Sequence, residues 1–337
     1  MIDFFIQHGV PAFWASLLEM TVIAVAILVF ILINIMLLIW LERKVAGHIQ
    51  NRLGPVRVGP IGLLQSAADA LKMLLKEDII PLAADKKVFI IAPFLAFLPA
   101  ILVYIVLPFD DKLMPRDLGL GLLFILAIGT LPTLSIFMAG WGSNNKYAML
   151  GAMRAAAQAI SYEVPLVLVL ATIVMWTGTL SPKGIVEAQR NGWFIGPHFV
   201  GFILFLICAL AEANRTPFDL PEAESELVAG FHSEYSGMRF AFFMMGEYAH
   251  LLFTAGLITT LFLGGWYFLP HIPTLGGVPG WVWFLAKTYL VVVLFMWIRW
   301  TYPRLRMDQL MKFSWKGLVP ISLVYLLVMS FIKVLGR

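Results

Sequence analysis

The chain has 337 residues, 61% of them hydrophobic and 13% charged, with a formal net charge of +4. Roughly a quarter of a soluble globular domain is charged, so this composition excludes one and describes a membrane protein. A single cysteine, Cys208, excludes a disulfide framework and any iron–sulfur or structural zinc site built from this chain alone; of the six histidines only His250 lies well inside an apolar run, which argues against a haem held between paired helices.

The first nine residues, MIDFFIQHG, carry neither a basic leader nor a small-residue cleavage site, so no removable signal is expected. Apolar runs of roughly 17 to 25 residues, the length that crosses a bilayer, predict spans at about 18–41, 88–108, 118–140, 156–178, 197–213, 240–269, 281–301 and 317–335. Their uninterrupted hydrophobicity selects helices over a barrel. The expected fold is all-α: a single transmembrane domain over 1–337 with eight transmembrane helices and no internal repeat. The longer connections fall at about 42–87, 141–155, 212–239 and 302–316. These and their flanks hold seventeen of the 24 Lys and Arg, whereas the alternate connections and both termini hold six. That bias orients the longer connections toward the cytoplasm or its organellar equivalent, with both termini outside.

The first inner connection is punctuated by Gly54-Pro55 and Gly59-Pro60, which predict turns. Beyond them Leu64, Ala67, Ala68, Leu71, Leu74 and Leu75 fall on one helical face and Gln65, Asp69, Lys72 and Lys76 on the other. This pattern predicts an amphipathic helix in the membrane interface, bordering a lipid-open slot or merely closing the bundle.

Glu163, Glu247, Lys287 and, near an outer end, Glu19 lie within predicted spans. Even the lower insertion scales charge about 2.5 to 3.5 kcal/mol for such a residue, so each is a functional candidate. Pro165 removes an amide and frees the carbonyl of Ser161 beside Glu163, a place for water to bond. With Glu212 at the inner end of the fifth span, Glu163 and Glu247 form a candidate row of carboxylates; a static pair, such as Lys287 with a glutamate, is the alternative.

The stretch 211–239 concentrates six acids, Glu212, Asp219, Glu222, Glu224, Glu226 and Glu234, against Arg215 and Arg239. It reads either as a solvated loop whose acids favour a helix N-terminus or as the junction of a proton path with a ligand cavity. Arg43, Lys44, Arg215 and the run from Arg299 to Arg306 sit where spans meet the inner surface, either anchoring lipid phosphates or lining a cavity for an amphipathic ligand. Tyr147, Tyr235, Met73, Met238 and Phe231 are candidate softer walls.

Five segments carry a resemblance: Glu42-Arg43-Lys44, GPVRVGPIGLLQSAADALKMLLKED, GWGSNNKYAMLGAMRAAAQAISYE, AEANRTPFDLPEAESELVAGFHSEY and YPRLRMDQLM. In order and wording they resemble the quinone-tunnel membrane subunit of respiratory complex I, in its bacterial form. The resemblance covers about 42–316 and is most specific in the inner connections. It implies a subunit of the proton-translocating NADH:quinone oxidoreductase, in the bacterial cytoplasmic membrane with periplasmic termini. It implies no redox centre on this chain. Ubiquinone or menaquinone is the substrate, while NADH, FMN and iron–sulfur clusters belong to partner subunits.

By matching positions, Arg43, Arg215, Asp219, Glu222, Glu224, Glu226 and Phe231 are implied to line or adjoin the quinone cavity. Glu163, Glu212, Glu234 and Glu247 are implied to form the proton path. The implied partners are hydrophilic-arm subunits carrying the terminal cluster and the quinone head-group site, small and antiporter-like membrane subunits, and lipids; nucleic acid is not among them. A membrane subunit of an energy-converting hydrogenase or formate hydrogenlyase, and a stand-alone cation or proton transporter, are the alternatives.

Overall fold

The computed structural model describes residues 11–221, 228–269 and 277–335. Backbone amides in lipid have no water to bond, so a chain this apolar satisfies them within helices. In chain order these are α1 (Ala12–Ile49), α2 (Gln65–Leu75), α3 (Lys86–Leu102), α4 (Gly121–Gly129), α5 (Leu131–Gly142), α6 (Lys146–Thr177), α7 (Pro182–Ala188), α8 (Phe199–Glu212), α9 (Gly237–Phe262), α10 (Gly280–Thr301), α11 (Met307–Phe313) and α12 (Val319–Leu335). Short 3-10 turns follow α3 and precede α9, and a π-turn, Ser314–Leu318, joins α11 to α12.

Among the described residues seven helical segments are long and apolar enough to cross a membrane. They are α1, α3 with its 3-10 extension, α4 with α5, α6, α9, α10, and α11 with α12. The run expected as a fifth span is the 14-residue helix α8, about 21 Å long at 1.5 Å per residue against a hydrocarbon core of about 30 Å. Apolarity there continues into non-helical flanks, which a hydropathy count cannot distinguish from helix.

Other boundaries also differ from expectation. α1 and α6 carry helix through Ile49 and from Lys146, so much of the expected 141–155 connection is helical. Its alanine-rich sequence favours helix although it is less apolar than the span. The third span is interrupted at Thr130, between Gly129 and Pro132, where the proline ring and missing amide interrupt the ladder. α9 ends at Phe262, short of the expected 269, because Gly264 and Gly265 adopt positive φ angles of 71° and 53°.

α9 is the central helix: 67% of its most apolar window is buried, against 22–50% in the other spans. It packs on α3, α10 and α1, while α6 packs on α5, α8 and α12. Two glycines allow close crossings. A Cβ at Gly140 of α5 would lie 2.4 Å from that of Ala152 in α6, and one at Gly246 of α9 would lie 2.9 Å from the Ala96 carbonyl oxygen of α3. Small residues let membrane helices approach in this way. A second, smaller core cluster holds several aromatic rings, where Phe89 stacks on Tyr235 with ring centres 4.1 Å apart and Phe231 meets Phe243.

The carbonyl freed by Pro165 is taken by protein. The Ser314 hydroxyl, carried by the π-turn, donates to the Ser161 oxygen at 2.6 Å, and the Trp315 indole donates to the Ser161 hydroxyl at 3.1 Å. The expectation of water at that carbonyl is corrected accordingly, because the π-turn lies against the proline site in space although about 150 residues away in sequence.

A charged layer and a half-buried row of carboxylates

The first connection returns the chain to the end of α1. Gly62 has φ 77°, and a Cβ there would lie 2.1 Å from the Pro55 carbonyl oxygen, so the Gly-Pro turns fold tightly before α2 begins. α2 then exposes Leu71, Leu74 and Leu75 and turns Ser66 inward. Its Asp69 Oδ2 accepts from Arg43 Nη1 at 2.6 Å, tying α2 to α1.

Beside this link lies a buried cluster of charges. Glu42 accepts a short hydrogen bond from Arg299 of α10, and its other oxygen lies 3.7 Å from Arg215 Nη1. Arg215 also stands over the Tyr248 ring at 4.5 Å. Asp219 accepts from Arg304 at 2.9 Å. Glu42, Arg215 and Asp219 are all buried, and a buried charge is tolerable when paired and hydrogen-bonded. The loop that carries Arg215 is held by Gln158 of α6, whose amide donates to the carbonyls of Ala211 and Phe218 at 2.7 Å each and to Asn214 Oδ1 at 3.2 Å.

Deeper in the bundle are two small cavities. One, of about 40 Å³, is bordered by Pro132, Phe231, Phe243, Glu212, Glu247 and His250. The other, of about 30 Å³, is bordered by Gly129, Phe205, Glu163, Glu212, His250 and Thr254. Each has room for a water molecule. Glu212 and His250 border both, with Glu212 Oε1 3.7 Å from His250 Nε2. Chemically, such a row can hold and exchange protons, since each carboxyl has a neighbouring polar group or space for water. Among the described residues no group of three or more His, Cys, Asp or Glu converges as a metal site.

Of the expected proton-path residues, Glu163, Glu212 and Glu247 meet along these cavities, whereas Glu234 lies apart and accepts from Asn145 at 2.6 Å. Of the expected quinone-cavity residues, Arg43, Arg215 and Asp219 lie in the charged layer, and Phe231 borders the larger carboxylate cavity. Glu222, Glu224 and Glu226 lie outside the described residues. The alternative of a static pair between Lys287 and a glutamate is corrected: its ammonium donates to the carbonyls of Leu263, Gly265 and Tyr267 beyond the end of α9. Those carbonyls belong to the turn that follows α9, which the ammonium ties to α10.

Three contributors escaped sequence reasoning. His250 was detectable, since it follows Glu247 by three residues and therefore shares its face of α9. The pairing of Glu42 with Arg299, 257 residues apart, and the three hydrogen bonds from the Gln158 amide left no local signal.

Comparison with known proteins adds lineage. A family model described as NADH dehydrogenase matches residues 22–330. The H-subunit of NADH-quinone oxidoreductase from Brevibacillus brevis is 53% identical over 315 residues, covering 94% of this chain and 93% of the relative. The same-named protein of Anoxybacillus flavithermus is 53% identical over 321 residues, covering 95% and 96%. That of Bacillus cereus is 51% identical over 334 residues, covering 99% of each.

Proposed function

The chain belongs to the H-subunit family of NADH-quinone oxidoreductase, and from that premise we propose that it is the membrane subunit that lines the quinone passage of complex I and passes the effect of quinone reduction to a half-buried row of carboxylates. It has no catalytic group of its own in this reading. NADH, FMN and iron–sulfur clusters work in hydrophilic-arm subunits, the last of which also completes the head-group site; ubiquinone or menaquinone is the substrate. Small and antiporter-like membrane subunits receive the output, and lipids surround the rest.

In the proposed topology α8 with its flanks completes an eighth crossing, both termini face the periplasm, and α2 lies in the cytoplasmic interface of the bacterial inner membrane. The outward leucines of α2 support that placement, since they are exposed while Asp69 turns to Arg43. The quinone passage is assigned to the charged layer of Arg43, Arg215 and Asp219, with Glu222, Glu224 and Glu226 beside it. Glu234 is assigned to the path between that layer and the cavities, and Phe231 to the wall they share.

The observation that carries the proposal is the meeting of Glu163, Glu212 and Glu247 along two adjoining cavities within the bundle. Quinone reduction creates negative charge and takes up two protons. One unit charge about 10 Å away, at an effective dielectric of about 20, is worth roughly 1.7 kcal/mol, a little over one pKa unit. Closely spaced carboxyls titrate as a coupled set, so a disturbance at one end is felt at the other.

The test is Glu163→Gln and Glu212→Gln in the assembled enzyme, reconstituted into liposomes. The expected result is intact assembly and intact NADH oxidation by an artificial acceptor, with quinone-coupled turnover and proton release both impaired. Normal pumping by both variants would overturn the proposal.

A further inference from the structure

The two carboxylate cavities share two bordering residues, Glu212 and His250. A proton travelling between Glu163, on the smaller cavity, and Glu247, on the larger, therefore meets this pair. We propose that His250 is a proton-carrying member of the row, accepting from Glu212 on one side and delivering toward Glu247 on the other. The inference rests on the carboxylate-path reading and adds a residue and a direction of transfer to it.

Three observations support it. His250 Nε2 is buried and makes no hydrogen bond, yet lies 3.7 Å from Glu212 Oε1. A buried ring nitrogen kept only for packing is normally satisfied, because an unmade bond costs about 1–3 kcal/mol; here the unmade bond faces a carboxyl, and a small side-chain movement closes the gap. The imidazole also has an aromatic neighbour in Phe253, with ring centres 6.4 Å apart. Finally, the ionisable groups bordering the two cavities are Glu163, Glu212, Glu247 and His250, and the imidazole alone among them becomes a cation when protonated.

The step balances without redox chemistry. Neutral imidazole takes the proton of the Glu212 carboxyl on Nε2, leaving a carboxylate beside an imidazolium, whose attraction is strengthened by the low local dielectric. The imidazolium then releases one proton into the larger cavity, where Glu247, three residues earlier on the same helix face, receives it. The ring returns to neutral and Glu212 is free to take up a proton from the Glu163 side.

The test uses the assembled enzyme in liposomes with NADH and a short-chain ubiquinone or menaquinone analogue. His250→Gln and the smaller His250→Asn remove the proton carrier and keep polarity; His250→Glu restores a titratable group. Quinone-coupled turnover is expected to fall about tenfold or more in the two amide variants, within the range general acid–base groups contribute, and to recover substantially in His250→Glu. NADH oxidation by an artificial acceptor serves as the measure of assembly and stays unchanged. If either amide variant pumps normally while Glu212→Gln does not, the role of His250 is overturned and the carboxylate path stands. If Glu212→Gln also pumps normally, both fall. Failure of His250→Glu to exceed the amide variants would likewise reject proton carriage by residue 250.

Discussion

An ionised carboxylate buried between apolar helices persists only with a partner, and Glu42 has two arginines from distant segments, Arg215 and Arg299. Removing Arg299 leaves Glu42 only the longer contact to Arg215 at 3.7 Å, a loss that approaches the order of 3–5 kcal/mol set by a buried charge with no partner at all. Arg299→Met is therefore expected to lower the thermal stability and recovered amount of the assembled enzyme. Adding Glu42→Gln to it should restore much of the loss, because the stranded charge is gone; no recovery in the double variant would show that the arginine acts through packing instead. The pair of Arg43 and Asp69 is different. Its side chains are 45% and 27% exposed, and exposed pairs are worth about 0–1 kcal/mol. Asp69→Asn should leave assembly and melting unchanged, and any effect should appear as a raised KM for quinone, through looser attachment of α2.

At the scale of elements, the bundle departs from straight spans where its inner carboxyls lie. The third span breaks at Thr130, and the residues flanking the break border the cavities: Gly129 the smaller, Pro132 the larger. A Cβ at Gly129 would stand 3.7 Å from Glu212 Oε1. Irregular backbone at membrane depth is tolerated where it is buried in protein or lines a polar cavity, and this break meets that condition. The proline in α6 and the π-turn before α12 form a matched pair, since Ser314 supplies the donor that Pro165 removed. Ser314→Ala should cost about 1–3 kcal/mol, the penalty of a buried acceptor left unsatisfied, seen as a lower melting temperature that Ser314→Thr recovers. Equal melting of the alanine variant and the parent would mean that another group reaches that carbonyl.

For the whole molecule, the strongest global statement is topological. Residue 208 is the sole cysteine and is buried, so single cysteines report cleanly on sidedness. With a membrane-impermeant maleimide, Arg52→Cys should label in inside-out vesicles and Lys112→Cys in intact right-side-out preparations; the reverse would invert the topology. Composition alone determined that the chain is helical and lipid-embedded, because apolar runs of that length have no other way to satisfy their backbones. Spacing alone singled out Glu163 and Glu247 and the two-faced run that became α2, since charge in an apolar run and helical periodicity are local properties. What a one-dimensional pattern could not hold was distance across the fold. Which arginines neutralise Glu42, that Ser314 replaces water at Ser161, that Lys287 holds the turn after α9, and that His250 stands beside Glu212 were decided when helices remote in sequence packed together. Those partners are chosen by the shape of the bundle, and that shape depends on where glycines allow close approach and where prolines break the ladder.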